Sequence, residues 1–180
     1  RFHPIINHGG DLVNVVPDRV TMESYVRAAN VEALRRGNDK VNRALKAGAD
    51  AVGATVEIKD LAGYLPLQNN PEMNEIMHEN CNVIMGADKV YYGVHEAGST
   101  DMGDLSHIMP IVHPWVGCVS GGLHSKDYKV SHEEIAYVKM AQVMAMTIID
   151  LLYGEADGAE ALLKDYKPLL TKEEYIQYME

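Results

Sequence analysis

Chemistry-bearing residues gather in one stretch, Gly98–Tyr128, which reads GSTDMGDLSHIMPIVHPWVGCVSGGLHSKDY. Two clusters of small and polar residues, Gly98–Asp104 and Gly121–Ser125, flank a more apolar run with Pro110, Pro114 and the single tryptophan, Trp115. Glycines beside Ser, Thr, Asp and His suit a loop that faces a ligand. The backbone can approach closely and adopt unusual dihedrals, while the polar side chains supply donors, acceptors or metal ligands. Four of the eight histidines, His95, His107, His113 and His124, fall in or beside this stretch.

Each candidate has a plain reading beside the chemical one. His124 follows Gly121-Gly122-Leu123 at the end of an expected strand. An imidazole fixed there is a common metal ligand, its second nitrogen held by an acceptor. Without that context, a lone histidine is more often structural or solvated. A catalytic zinc takes three protein ligands and a water, and no HExxH pair is present. Asp101 and Asp104 could be ligands, but three residues apart and next to glycines they suit loop caps better. Ser99 and Thr100 lack the Gly-x-Ser-x-Gly elbow of a nucleophile and an evident base. Anion or carboxylate binding by the loop's backbone N–H groups fits them better. Arg27 carries the bidentate fork that matches a carboxylate, though its spacing fits a solvent-exposed strand arginine equally well.

The elements that must position these groups follow from periodicity. Arg1–His8 and Leu12–Val16 read as extended, with Pro17-Asp18 a turn pair. Val20–Arg27 alternates, with Val20, Met22 and Val26 on one face and Thr21, Glu23, Tyr25 and Arg27 on the other, as in a half-buried strand. Asn30 is placed to cap a helix whose stripe runs Val31, Leu34, Val41, Leu45, Val52, with Gly53 as its stop. Ala54–Lys59 reads as a further strand. Asn70-Pro71 opens the next helix. Lys89–Val94 and Val116–Ser120 read as strands, and Ser131–Glu134 as a capping box that starts a long Met- and Ala-rich helix to about Tyr153. Its broad apolar surface suits packing on a sheet. Thr171–Glu174 repeats the capping box for a terminal helix.

Composition sets limits. The chain has 180 residues, 47% hydrophobic and 23% charged, the proportions of an ordinary globular protein. Its net charge of −10 argues against general nucleic-acid binding. The most apolar run, Val143–Leu152, is interrupted by Thr147 and Asp150 and falls short of the roughly 18–20 residues of a membrane span. Two distant cysteines, Cys81 and Cys118, form neither a metal knuckle nor a disulfide framework, so a cytoplasmic setting is the expectation.

Taken together, several strings resemble the aminoacylase/carboxypeptidase family of dinuclear zinc amidohydrolases, closest to the p-aminobenzoyl-glutamate hydrolase B-subunit and β-alanyl dipeptidase-like branch. They are Ile5–Gly10, Asn14–Pro17, Tyr25–Ala28, Gly98–Ser106, Pro110, Leu123–Ser125 and the Met144–Thr147 helix. The resemblance implies an α/β architecture: residues 1–65 as part of a small ferredoxin-like α+β lid, or dimerisation, domain, and 66–180 as the C-terminal portion of an α/β/α catalytic domain. It implies that Asn14, Arg27, Gly98, Ser99 and Thr100 bind substrate, that His124 ligates one of two zincs, and that the enzyme is a homodimer. The implied reaction is hydrolysis of an amide in an N-acyl amino acid, aminobenzoyl-glutamate or small dipeptide by metal-activated water.

The family's other zinc ligands and its glutamate base have no match here. The expectation is therefore a part of a longer metallopeptidase-type hydrolase, completed by an N-terminal segment or a companion chain and inactive alone. A non-catalytic binding or assembly subunit that keeps the lid's dimer surface is the alternative.

Overall fold

The computed structural model describes residues 1–93 and 98–180. Val94 and His95, named above, lie outside the described residues. The chain mixes helices and strands and divides into two compact units.

The first unit contains Arg1–Leu67, described residues 98–103, and Tyr178–Glu180. Strands β1 (Phe2–His8) and β2 (Thr21–Val26) form an antiparallel hairpin, running from Phe2↔Val26 to His8↔Thr21 with an irregularity between Ile6 and His8. The second expected strand, Leu12–Val16, is instead a turn in the connection, closed by the Val15 N–H on the Leu12 carbonyl (3.2 Å). Helix α1 (Val31–Ala51) begins at Asn30, whose Oδ1 accepts the Ala33 N–H at 2.8 Å. It ends just before Gly53, at φ +70°. Its apolar stripe is half-buried at Val31, Leu34, Val41 and Leu45, while Val52 stays exposed.

Ala54–Lys59 does not form the expected strand. A strand is defined by its ladder partner, and among the described residues this segment has none. The chain beyond it is tied back to α1 by the Asn42 amide donating to Asp60 (2.7 Å). This unit thus holds a hairpin and a helix, without a further paired strand among the described residues.

The second unit contains residues 68–93 and 104–177 of the described chain. Helix α2 (Pro71–Met85) has Asn70 as its cap, Oδ1 accepting the Met73 N–H at 2.8 Å, with Pro71 where its missing N–H costs nothing. A short 3-10 turn, Ala87–Lys89, follows, and no strand forms over 89–93. Helix α3 (Met102–Ile108) leads on to a hairpin of β3 (Val119–Ser120) and β4 (Lys129–Val130). Only two residues of the expected Val116–Ser120 strand are paired.

A π-helical stretch, Glu134–Lys139, runs into α4 (Met140–Lys164), and α5 (Lys172–Met179) closes the chain. The expected Ser131 capping box is not formed. The N–H groups of Ser131 and His132 are both drawn to the Cys118 carbonyl (2.9 and 3.2 Å), and the Ser131 hydroxyl meets His132 Nδ1 (3.0 Å). The Thr171 box does form. The Thr171 N–H donates to Glu174 Oε2 (2.7 Å) and the Glu174 N–H to Thr171 Oγ1 (3.1 Å).

α4 runs beyond Tyr153, but its backbone leaves helical geometry over Tyr153–Ala156. It packs on α2 rather than on a sheet. Met77 and Asn80 of α2 are buried, as are Val143 and Thr147 of α4. Asn80 Nδ2 donates to Asp150 Oδ2 (2.7 Å) and Thr147 Oγ1 (3.2 Å). By length and hydropathy the helical run Glu134–Lys164 is sufficient to cross a bilayer. Its break at Tyr153–Ala156 and the Asn80–Asp150 pairing mark it as one member of a helix pair in a folded unit.

Candidate functional site

Two of the candidate site residues meet. Arg27 follows β2 at the open end of the hairpin, its N–H continuing the ladder onto the Arg1 carbonyl (2.8 Å). Its Nη1 donates to Ser99 Oγ at 2.7 Å, and the guanidinium lies over the Tyr25 ring, 5.2 Å from the centroid. Tyr25 and Arg27 are two residues apart on one face of the strand, so this cation–π contact is a product of strand periodicity. A guanidinium placed over a ring and hydrogen-bonded to Ser99 is oriented rather than freely rotating. It can present planar N–H donors to a carboxylate.

The loop around Ser99 is ordered by its own side chains. Asp101 Oδ1 accepts the Met102 N–H (3.1 Å) and the Thr100 hydroxyl (3.0 Å), and the Thr100 carbonyl accepts the Gly103 N–H (2.9 Å). Asp101 is thus a loop cap. The N–H groups of Met102 and Gly103 are engaged inside the loop, which leaves Gly98–Asp101 as the part whose backbone could meet an anion. Gly103 is required by space, since a Cβ there would stand 2.0 Å from the carbonyl oxygen of the fully buried Leu65. Gly98 has open space around it.

Asn14 is not brought to Arg27. It lies in the connection at the closed end of the hairpin, and the paired length of β1 separates the two ends by about 20 Å.

His124 belongs to the second unit. It is exposed in the loop between β3 and β4, at φ +62°, a left-handed conformation in which His is enriched among non-glycine residues. Gly121 admits this loop: at φ +89°, its Cβ would stand 2.3 Å from the Asp127 carbonyl oxygen. Among the described residues no group of three or more His, Cys, Asp or Glu side chains is placed to hold a metal. The described part of this chain therefore does not fit a zinc site by itself. His107 is 2% exposed and meets Ser106 Oγ at 3.3 Å, while Asp104 accepts from the Tyr175 hydroxyl (3.3 Å). These residues build the α3 core.

Residue types alone did not single out a polar cluster on α2. The Tyr92 hydroxyl donates to Glu75 Oε2, and its ring stacks on His78 with centroids 4.5 Å apart. The Glu75 hydrogen bond holds the phenol's proton and pushes its pKa upward. Glu75 and His78 are three apart on α2, the spacing that puts them on one face. Cys81 has its thiol pKa raised by burial.

No protein-family model matches the chain. Among curated proteins it is similar to the Xaa-Arg dipeptidase of Homo sapiens, 30% identical over an alignment of 190 residues that takes in 100% of this chain and 43% of the relative. The Mus musculus Xaa-Arg dipeptidase is 27% identical over 186 residues, 98% of this chain and 42% of the relative. A protein described as uncharacterized hydrolase y4tI, from Sinorhizobium fredii, is 24% identical over 153 residues, 83% and 38%. The chain thus spans about two fifths of the length of these relatives. At a coarse level the similarities support a peptidase-type hydrolase.

Proposed function

We propose that this chain is the substrate-gripping portion of a metal-dependent amidohydrolase that cleaves a small dipeptide, an N-acyl amino acid or aminobenzoyl-glutamate. The observation that carries the reading is the 2.7 Å hydrogen bond from Arg27 to Ser99. It joins two stretches picked out for carboxylate binding, and all of these substrates end in a carboxylate. Similarity to two Xaa-Arg dipeptidases supports the dipeptide class.

In this reading Arg27, oriented by Ser99 and Tyr25, pairs with the substrate's carboxylate, and Gly98 and Thr100 shape the surrounding loop. Asn14, at the far end of its own hairpin, serves a site other than the one Arg27 lines, as a homodimer built through residues 1–65 would allow. Residues 66–180 belong to the catalytic portion. Two zincs and the base that activates water would be held largely by a companion segment or chain, with His124 contributing at most one ligand. No step of bond cleavage is assigned to the described residues.

A second reading, a binding or assembly subunit without catalysis, is favoured by one observation: no metal-holding cluster is found among the described residues.

The experiment is intact mass and metal content of the natively purified protein, with a dipeptide and its C-terminal carboxamide as paired substrates. The hydrolase reading expects two zincs per complete site, a second polypeptide or a longer chain, zinc loss in His124→Ala, and selective cleavage of the free acid. A lone metal-free species near 20 kDa that cleaves neither substrate overturns it and leaves the binding reading.

A further inference from the structure

We infer that the basic face of α1 docks against the acidic face of α2 on a second copy of this chain, in a weak, reversible association. The inference is independent of the hydrolase reading. The half-buried stripe of α1 is Val31, Leu34, Val41 and Leu45. Arg36, Lys40 and Arg43 follow one another at spacings of four and three residues and are exposed. At about 100° per residue they lie roughly 160° around the helix from that stripe. Their exposure thus follows from the amphipathicity of α1 itself. Arg36 makes one exposed pair with Glu32 (3.7 Å), whereas Lys40 and Arg43 make no ion pair among the described residues. The side chains from Arg36 to Lys46 line an open concavity of about 590 Å³. A concave face with uncompensated cations suits carboxylates.

The chain carries its own complement. Glu72, Glu75 and Glu79 are exposed on α2 at spacings of three and four residues, on a different face from the buried Met77 and Asn80. Helix α2 has no lysine or arginine, and Glu72 and Glu79 make no ion pair among the described residues. Glu75 accepts the Tyr92 hydroxyl on Oε2, and a carboxylate has a second oxygen for a further donor. Read antiparallel, the two spacings coincide: Arg36 falls opposite Glu79, Lys40 opposite Glu75 and Arg43 opposite Glu72. Each stripe is about 10 Å long. That shared register favours a second copy over an unrelated acidic partner, which would match it only by chance.

Charge sets the strength and the conditions. Each copy has a net charge of −10, so two copies repel at long range. At about 0.1 M salt the Debye length is about 10 Å, which screens that repulsion while pairs in contact persist. A seam of three exposed pairs is far smaller than the approximately 800 Å² per partner of a standard interface. The association therefore belongs to the weak, transient class and forms at hundreds of micromolar chain.

Sedimentation equilibrium of the chain and of two charge-reversed variants tests it. The wild type should self-associate at about 0.1 M salt and lose most of that association at about 1 M, where the Debye length falls to about 3 Å. Lys40→Glu/Arg43→Glu and, separately, Glu72→Lys/Glu79→Lys should each weaken it at least about tenfold. Exposed pairs are worth about 1.5- to 5-fold each, and reversal replaces attraction by repulsion. Glu75 is left in place because it holds Tyr92. All four side chains are exposed, so far-UV circular dichroism should match the wild type, and the salt dependence needs no variant. Mixed in equal amounts, the two variants should associate again, because the acidic α2 of the first meets the basic α1 of the second and the two reversed faces also match. A wild type that stays monomeric to about a millimolar overturns the proposal, as does loss of association without rescue on mixing. An assembly that neither reversal weakens runs through another surface, such as the β1–β2 hairpin, and also overturns it. So does a monomeric wild type that binds phosphatidylserine vesicles or inorganic polyphosphate through Lys40 and Arg43, since the face would then have another occupant.

Discussion

Arg27 Nη1 donates a 2.7 Å hydrogen bond to Ser99 Oγ across 72 residues of sequence. The strand end and the glycine-flanked loop are thereby one local structure, and the guanidinium lies over the Tyr25 ring, 5.2 Å from its centroid. If this assembly grips a carboxylate, Arg27→Lys should be nearly as damaging as Arg27→Ala, because an ammonium reproduces the charge but not the fork. A charge-assisted contact of about 1.5–3 kcal/mol corresponds to a loss of about 10- to 150-fold in kcat/KM for the complete enzyme. Ser99→Ala should cost less, about tenfold or below, since it removes only the orienting bond. Steady-state kinetics on a free-acid dipeptide measures both, and a Lys variant with full activity would refute the fork.

Asn14 and Arg27 stand at opposite ends of the β1–β2 hairpin. Within one chain their substitutions should be energetically independent, and Asn14→Ala/Arg27→Ala should equal the sum of the singles to about 0.5 kcal/mol. Hairpin stability from urea unfolding of the isolated chain provides the cycle. A larger coupling would mean that the two ends touch.

Gly103 leaves no room for a methyl group, its Cβ position lying 2.0 Å from the Leu65 carbonyl oxygen. Gly103→Ala should destabilise by about 1–3 kcal/mol. Gly98→Ala, in open space, should be close to neutral. A comparison of urea midpoints distinguishes the two, and equal midpoints would contradict the packing described.

Asn80 is 5% exposed and donates to both Thr147 and Asp150 across the α2–α4 contact. Asn80→Ala should cost about 1–3 kcal/mol, because it removes two hydrogen bonds and leaves a cavity. Thr147→Val should cost less, as it keeps the volume and sacrifices only the hydroxyl, which also donates to the Val143 carbonyl (2.9 Å). Thermal unfolding of the two variants tests the order.

Tyr92 has its pKa raised, first by its hydrogen bond to Glu75 and then by desolvation and nearby carboxylate charge. A raised pKa means that the folded state favours the protonated phenol. The Glu75 contact therefore contributes fully below the ordinary tyrosine range and fades as pH rises through the elevated folded value. Absorbance titration at alkaline pH, differenced against Tyr92→Phe, should show a late-titrating phenol. Glu75→Gln should move it back toward ordinary values, and no change in that variant would remove Glu75 as the cause.

Local structure was largely written in local residues. Asn30, Asn70 with Pro71, and the Thr171–Glu174 pair cap the helices they were expected to cap, because a cap needs only a side chain within reach of the next three N–H groups. The alternation over Val20–Arg27 identified a strand and the shared face of Tyr25 and Arg27 for the same short-range reason. Asp101 as a loop cap and Gly53 as a helix stop belong with them.

Long-range geometry decided the rest. Ala54–Lys59 has the composition of a strand, but a strand needs a partner that no single segment can provide. Ser131 had the side chain for a cap, yet the Cys118 carbonyl claimed the backbone around it. The apolar breadth of α4 was legible from its sequence, whereas its packing on α2, with the opposite face left open, came from tertiary contacts. So did the meeting of Arg27 with Ser99 and the separation of Asn14 from both. Periodicity and capping act over three or four residues and can be read along the chain; which surfaces meet depends on pairing across dozens of residues, and only the folded chain determines it.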